Sequence, residues 1–363
     1  MQVVFWQGIV SPHQSAFLTA LAKESGWQIV LMADKAMSDE RARMGWQLPD
    51  MQGVAVITGP SEVQVQQQFA DAQTVHIFSG INYSPVSSKA LQLAVRRKAR
   101  IGIMAEPYDW LGWRGQLRHL RGVWQRMRYN AHVSFILAIG NKGYELFHKA
   151  AWPDHKIFEW GYFIVPVEAA VQVEMPPFRI LFTGSLITRK GVDLLIHALG
   201  RLKNQHFELD IVGQGPVKPL LEQLVEQYQL QDRVRFYDFM DNQEAQQFLA
   251  SHDLFVLPSR RDGWGAVVNE ALMQGTPVIC SNHCGASVLI NNSNGAVFQS
   301  ENIEELAALI AMQIDKGKID MARRNALRSW AGRISGTAAA QYFRELIAHV
   351  TNGGKQPVAP WKQ

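Results

Sequence analysis

Residues 254–277, LFVLPSRRDGWGAVVNEALMQGTP, limit the possible folds more than any other stretch. Leu254 to Leu257 is a short apolar run stopped by Pro258, which reads as a buried strand feeding a loop at its carboxyl end. Ser259 to Gly265 is polar, basic and glycine-rich. From Ala266 the apolar spacing becomes helical, with Val267 and Leu272 set for burial, until Gly275 supplies a C-cap and Thr276-Pro277 leads into the next strand, Val278-Ile279. Strand, loop, helix and strand in this order specify a parallel α/β sheet.

Ligands of open α/β sheets sit outside the carboxyl ends of the strands, so this loop and helix start face a ligand crevice. Gly263 and Gly265 leave backbone amides unshielded, and a helix start favours an anion such as phosphate. Asp262 in the loop and Glu270 in the helix bracket the element. Carboxylates repel phosphate, so both are expected to face neutral parts of the ligand, with sugar hydroxyls the obvious partner. The residues read as a nucleotide-sugar site.

The segment DGWGAVVNEALMQGTPVI resembles the acidic signature of the retaining GT-B glycosyltransferases of family 4 (group 1), two acids separated by seven residues. The family's first Glu is Asp262 here and its second is Glu270. The resemblance implies an α/β chain of two Rossmann-like parallel-sheet domains facing a central cleft. It places Glu270 on the ribose hydroxyls of a donor nucleotide and Asp262 on hydroxyls of the transferred sugar, with Arg261, Gly263, Trp264, Gly265 and Ala266 beside them. It covers about residues 178–310, with weaker extensions to 135–140 and to Trp330.

At 363 residues the chain is long enough for two domains with separate cores. The expected division is an acceptor-binding domain over 1–165, a linker over 166–177 ending in Pro176-Pro177, and a nucleotide-sugar domain over 178–330. A helix over 331–350 crosses back to the first domain, and 351–363, with paired glycines and two prolines, reads as a flexible tail. With 47% hydrophobic and 19% charged residues the chain is globular rather than disordered. Two cysteines, Cys280 and Cys284, exclude a disulfide framework and fit a reducing compartment. One C-x3-C with His283 lacks a second ligand pair, so no metal site is expected. No apolar run reaches the eighteen or so residues of a membrane span, and Met1 to Phe5 is too short and uncharged for a signal peptide. The expected location is cytoplasmic, either free or peripheral on the inner face of the cell membrane.

In the first domain Val3 to Trp6 reads as a strand, followed by a loop carrying Gly8 and His13 and a helix from about Gln14 to Ser25. Gly8 would let a ligand approach the backbone, and His13 would touch a phosphate. A GxGxxG fingerprint is absent, which argues against a dehydrogenase. Arg100 to Ala105 is a further strand with Glu106 at its carboxyl end, where the family carries a histidine. Glu106 has two readings, general base for an acceptor hydroxyl or a structural or acceptor-holding carboxylate. Arg96 to Arg128 is basic and aromatic, with nine arginines and lysines interleaved with Trp110, Trp113 and Trp124. That composition suits an anionic membrane surface or a polyprenyl- or other lipid-linked glycan acceptor. A solvated basic face is the plainer reading, and nucleic acid is disfavoured because no recognised motif accompanies the charge.

The second domain opens with the strand Arg179 to Phe182 and the loop and helix GSLITRKGVDLLIHAL. The resemblance gives Lys190 the leaving diphosphate of the donor. Ser185, next to Gly184, stands where the family has an arginine, a role for Arg189 or Arg261 to fill. Gly213 and Gly215 of GQGP resemble the family's turn near the nucleotide, and the same resemblance implies that Tyr237, Asp238 and Phe239 flank the base. Gly285 and Ala286 would offer amides to phosphate, and Gly295 marks the last turn. The reaction expected from the resemblance is retaining transfer from a nucleotide-diphosphate sugar, without metal or other cofactor, in bacterial lipopolysaccharide, capsule or exopolysaccharide assembly. The alternatives are a non-catalytic scaffold of the same fold and a GT-B-like sugar-nucleotide epimerase.

Overall fold

The computed structural model describes residues 1–37, 48–165, 177–238, 240 and 242–363. They form two compact units, Met1–Val165 with Arg333–Gln363, and Pro166–Gly332. The expected linker, apart from Pro177, lies outside the described residues.

The first unit is built on β1 (Gln2–Ile9), β2 (Gln28–Lys35), β3 (Val54–Thr58), β4 (Val75–Ser79), β5 (Arg100–Ala105), β6 (Val133–Ile139) and β7 (Ile157–Trp160). They make a parallel sheet in the order β3-β2-β1-β4-β5-β6-β7. The connecting helices are α1 (Ser15–Ser25), α2 (Glu62–Gln67), α3 (Pro85–Arg96), α4 (Gly112–Tyr129) and α5 (Gly140–Lys149). A parallel sheet covered on both faces needs strands that are apolar throughout rather than alternating. Val3 to Trp6 and Phe135 to Ile139 are accordingly buried without a break. Local signals set the helix ends. Ser84 caps α3 by accepting the Ser87 amide ahead of Pro85, and α1 stops at Gly26, in the left-handed region at φ 67°.

The second unit contains β8 (Phe178–Thr183), β9 (Phe207–Val212), β10 (Val234–Tyr237), β11 (Leu254–Leu257), β12 (Val278–Ser281) and β13 (Gly295–Phe298), parallel in the order β10-β9-β8-β11-β12-β13. Its helices are α6 (Val192–Gly200), α7 (Lys218–Gln227), α8 (Asn242–Ala250), α9 (Val267–Met273), α10 (Ile303–Asp315) and α11 (Met321–Ala331). Gly295, expected as a turn, instead opens β13. A Cβ there would stand 1.9 Å from the Val278 carbonyl oxygen, so the glycine is needed for close pairing with β12.

The chain then forms α12 (Gly336–Asn352), which belongs to the first unit and packs on α1. Gly336 lets the helices meet backbone to backbone, since a Cβ would lie 2.3 Å from the Ala16 carbonyl oxygen. Phe343 fills the seam among Phe5, Phe17, Phe135 and Trp160, at centroid distances of 5.4 to 6.4 Å. The tail over 351–363, expected to be flexible, is ordered at its end. Pro360–Lys362 form a 3-10 turn in which Pro360 and Trp361 are buried, Trp361 against Phe163 at 6.3 Å. The apolar gain of burying Trp361 outweighs a composition that favours disorder.

Candidate functional site

In each sheet the strand order reverses once, between β1 and β4 in the first unit and between β8 and β11 in the second. At such a switch point the adjoining loops leave in opposite directions and open a crevice at the carboxyl ends of the strands. In the second unit Lys190 follows β8 and Asp262 follows β11, so both flank the reversal.

Lys190 closes the 3-10 turn Thr188–Lys190, and Gly191, at φ 69°, turns the chain into α6. The glycine is obligatory, because a Cβ would stand 2.2 Å from the Pro258 carbonyl oxygen after β11. This contact brings the lysine to the acid. Lys190 Nζ lies 2.5 Å from Asp262 Oδ2, with both side chains largely buried, and Arg189 Nη1 lies 3.6 Å from Asp262 Oδ1. Arg189 also donates to the Arg261 carbonyl at 2.9 Å. Asp262 is fixed through its backbone as well, donating to the His283 carbonyl at 2.9 Å.

Arg260 holds the two loops together and is a residue that sequence reasoning missed. Its guanidinium forks onto Asp193 at 2.7 and 2.8 Å, donates to the Thr188 carbonyl at 2.9 Å and reaches Glu301 at 3.0 Å. Burial raises the Asp193 carboxyl, but the hydrogen bonds and charge of Arg260 outweigh it and hold the group below the usual carboxylate range. Nothing in the dipeptide Arg260-Arg261 separates the clasp from its neighbour, because the partners are 41 to 72 residues away in the chain.

Glu270 sits half-buried on α9, whose first turn starts from Ala266 as N-cap. Ser185 is exposed beside Gly184. Several amides expected for a ligand are already used. Gly184 donates to Val212, Gly213 to Tyr237, Gly285 to Asp262 and Ala286 to Trp264, at 2.8 to 3.1 Å. The glycines serve close packing of loop on loop, as at Gly213, where a Cβ would meet the Gly184 carbonyl oxygen at 2.0 Å, and at Gly215, which lies under Leu186. Trp264 is packed inward. The residue is 2% exposed and its Nε1 donates to Asn269 at 2.8 Å, so the indole packs in the core. Tyr237 rests edge-on against Phe248, and Asp238 pairs with Lys218 at 2.7 Å. Phe239 lies outside the described residues.

At the reversal of the first sheet, His13 stands after β1 and stacks on Tyr162 with rings 5.0 Å apart. The Tyr162 hydroxyl donates to Glu106 at the end of β5. Two residues singled out separately, His13 and Glu106, are therefore joined through a tyrosine that no sequence signal marked. Gly8 does not leave open space. Tyr83 covers it, and a Cβ there would lie 3.1 Å from that ring.

Residues 168–330 match the sequence model of the family described as Glycosyl transferases group 1. Over these residues, a little under half of the chain, the sequence is similar to that group 1 family. Amylovoran biosynthesis glycosyltransferase AmsK of Erwinia amylovora is 29% identical over 153 residues, 40% of this chain and 38% of that protein. O-antigen biosynthesis glycosyltransferase WclY of Escherichia coli is 40% identical over 98 residues, 27% of each chain. The chain thus spans about a third of the length of the curated relatives it matches. Among solved structures, Anabaena Alr3699/HepE in complex with UDP superposes with a TM-score of 0.69 at 17% identity, over 96% of this chain and 100% of that one. The two Rossmann-like parallel-sheet domains are those of the GT-B fold. In the group 1 unit, Lys190, Asp262 and Glu270 all lie in the matched segment.

Proposed function

We propose that the protein is a retaining, metal-independent glycosyltransferase that moves a sugar from a nucleotide-diphosphate sugar to a glycan or lipid-linked acceptor in bacterial surface polysaccharide assembly. The observation that carries this reading is the Lys190–Asp262 pair at the switch point of the group 1 unit. A cation and a carboxylate fixed together match a donor whose diphosphate and sugar hydroxyls are adjacent. Departure of the diphosphate leaves an oxocarbenium-like sugar, and Lys190 with Arg189 stabilises the charge that grows on the leaving group. Protein cations at this position take the load that a divalent ion would otherwise carry. Glu270 holds the ribose, and Glu106, oriented by Tyr162, takes the acceptor proton. The solved HepE complexes with UDP and UDP-glucose support a nucleotide-sugar donor, and the names of AmsK and WclY support a surface polysaccharide product.

The reading includes attachment to the cytoplasmic face of the membrane. Among the described residues no helix is long and apolar enough to cross a bilayer. On α4, however, Trp113, Leu117, Leu120, Trp124 and Met127 recur at steps of four and three, and each is more than half exposed. Arg114 and Arg128 lie over the Trp113 and Trp124 rings at 5.3 and 5.8 Å. An apolar row flanked by arginines suits insertion at anionic headgroup depth. The free, buried Cys280 and Cys284 fit a reducing compartment.

A thermal-shift screen of nucleotide-diphosphate sugars tests the donor site. The true donor raises the melting temperature of the protein by mass action and leaves Glu270→Ala unmoved. An equal shift in the variant rejects the assignment.

A further inference from the structure

The first unit holds a partly open cavity of about 390 Å3 at the carboxyl ends of β4 and β5, walled on one side by α4. Its floor is apolar, formed by Ile81, Ile103, Leu146, Phe147 and Trp152. Arg118 and Arg121 of α4 line it as well, close to Gly122. Arg118 is partly neutralised by Asp109 at 3.6 Å, whereas Arg121 has no ion-pair partner among the described residues. The volume lies at the small end of ligand pockets. The lining residues 118, 121, 122 and 125 recur at helical spacing, beside the exposed row of Trp113, Leu117, Leu120, Trp124 and Met127, and Arg121 falls between the two rows. One helix therefore carries an apolar face open to solvent and, next to it, the wall of a cavity with cations and an apolar floor.

We propose that this cavity binds a phosphate ester joined directly to a hydrocarbon chain, the lipid-phosphate end of the acceptor. The phosphate lies against Arg121 and Arg118, and the first chain carbons lie on Ile81, Ile103 and Trp152. A free sugar would leave the apolar floor unmatched, and a free phosphate would leave it empty. Glu106 lines the same cavity, so an acceptor hydroxyl close to the phosphate comes within reach of the carboxylate assigned to it above. The inference rests on the proposed glycosyl transfer and names the chemistry of its acceptor.

Gly122 supplies the test. A Cβ at this position would lie 3.7 Å from Ala150 and 3.9 Å from Tyr108, both of which line the cavity, so a larger side chain enters the open volume while favouring the helix. Titration calorimetry of the full chain with farnesyl phosphate is expected to show binding at least tenfold tighter than farnesol or inorganic phosphate. Gly122→Leu and Arg121→Ala should each weaken it at least tenfold, while Gly122→Leu still sediments with vesicles of 70% phosphatidylcholine and 30% phosphatidylglycerol. Dihexanoyl phosphatidic acid distinguishes the other source of the same chemistry. Binding of that lipid as tight as farnesyl phosphate, no binding of farnesyl phosphate, or unchanged binding by both variants would overturn the proposal. Binding of farnesyl phosphate that depends on Gly122, in a protein that transfers no sugar from any donor, would reject the proposed function and leave the cavity assignment standing.

Discussion

Lys190 and Asp262 are each other's closest electrostatic partner at 2.5 Å with little exposure to water, and without Lys190 the carboxylate keeps only Arg189 at 3.6 Å. Lys190→Met should lower kcat by roughly 100- to 1,000-fold, the range for losing one preorganised donor to a developing anion. It should also lower the unfolding midpoint, by less than loss of an isolated buried pair would, because Asp262 keeps Arg189 as a countercharge. Ser185→Ala, an exposed side chain beside the same loop, should change neither by more than about twofold. Steady-state kinetics and chemical unfolding read both effects. A second residue, remote from the site, governs acid stability. His76 is buried against Phe69 at 4.1 Å and accepts the Trp6 indole N–H through Nδ1, and burial lowers its pKa from 6.5 to about 3. The unfolded chain therefore binds more protons than the native one between these values. Its contribution is complete above pH 6.5 and is lost progressively as pH falls toward 3. Between pH 7 and 5 the loss is on the order of 2 kcal/mol, and His76→Phe should flatten that part of the stability profile.

Elements show what the chain discloses about itself and what it withholds. The inner strands of both sheets were legible because burial on both faces makes them continuous apolar runs, as in Phe135 to Ile139 and Leu254 to Leu257, whereas the partly exposed edge strand β13 was read as a turn. The order of loops around Lys190 was legible for the same reason. Which amides remain for a ligand was not, because Gly213 meets Gly184 and Gly285 meets Asp262 only once the fold has brought distant loops together. Trp361 was illegible for another reason, since local composition favours disorder and only its docking on Phe163 reverses that. Trp361→Ala should destabilise the first unit by about 3 kcal/mol, seen as a lower midpoint in urea unfolding. On α4 the arginines and tryptophans were visible in the sequence, but the exposed row at four- and three-residue steps depends on which face the helix turns to the sheet. Trp113→Ser with Trp124→Ser should reduce co-sedimentation with anionic vesicles at least tenfold and leave the unfolding midpoint unchanged.

For the whole molecule, the fold follows from two parallel sheets, each reversed once, and the proposed chemistry rests on what stands at or beside the reversals. In the second unit these are a lysine, an aspartate and a helix with Glu270, and in the first a histidine, a tyrosine and Glu106. The second set was only half readable, because Tyr162 enters from the end of β7 and joins residues nearly a hundred positions apart. If cations of the protein alone carry the leaving group, sugar transfer should persist at full rate in EDTA, and a strict requirement for added magnesium or manganese would reject that part of the mechanism. The most direct measurement is a crystal structure of the protein with its nucleotide-sugar donor. The account predicts the diphosphate within hydrogen-bond distance of Lys190 Nζ, the ribose on Glu270 and a sugar hydroxyl on Asp262. A donor bound with its diphosphate away from Lys190, or with both acids turned from its hydroxyls, would contradict it.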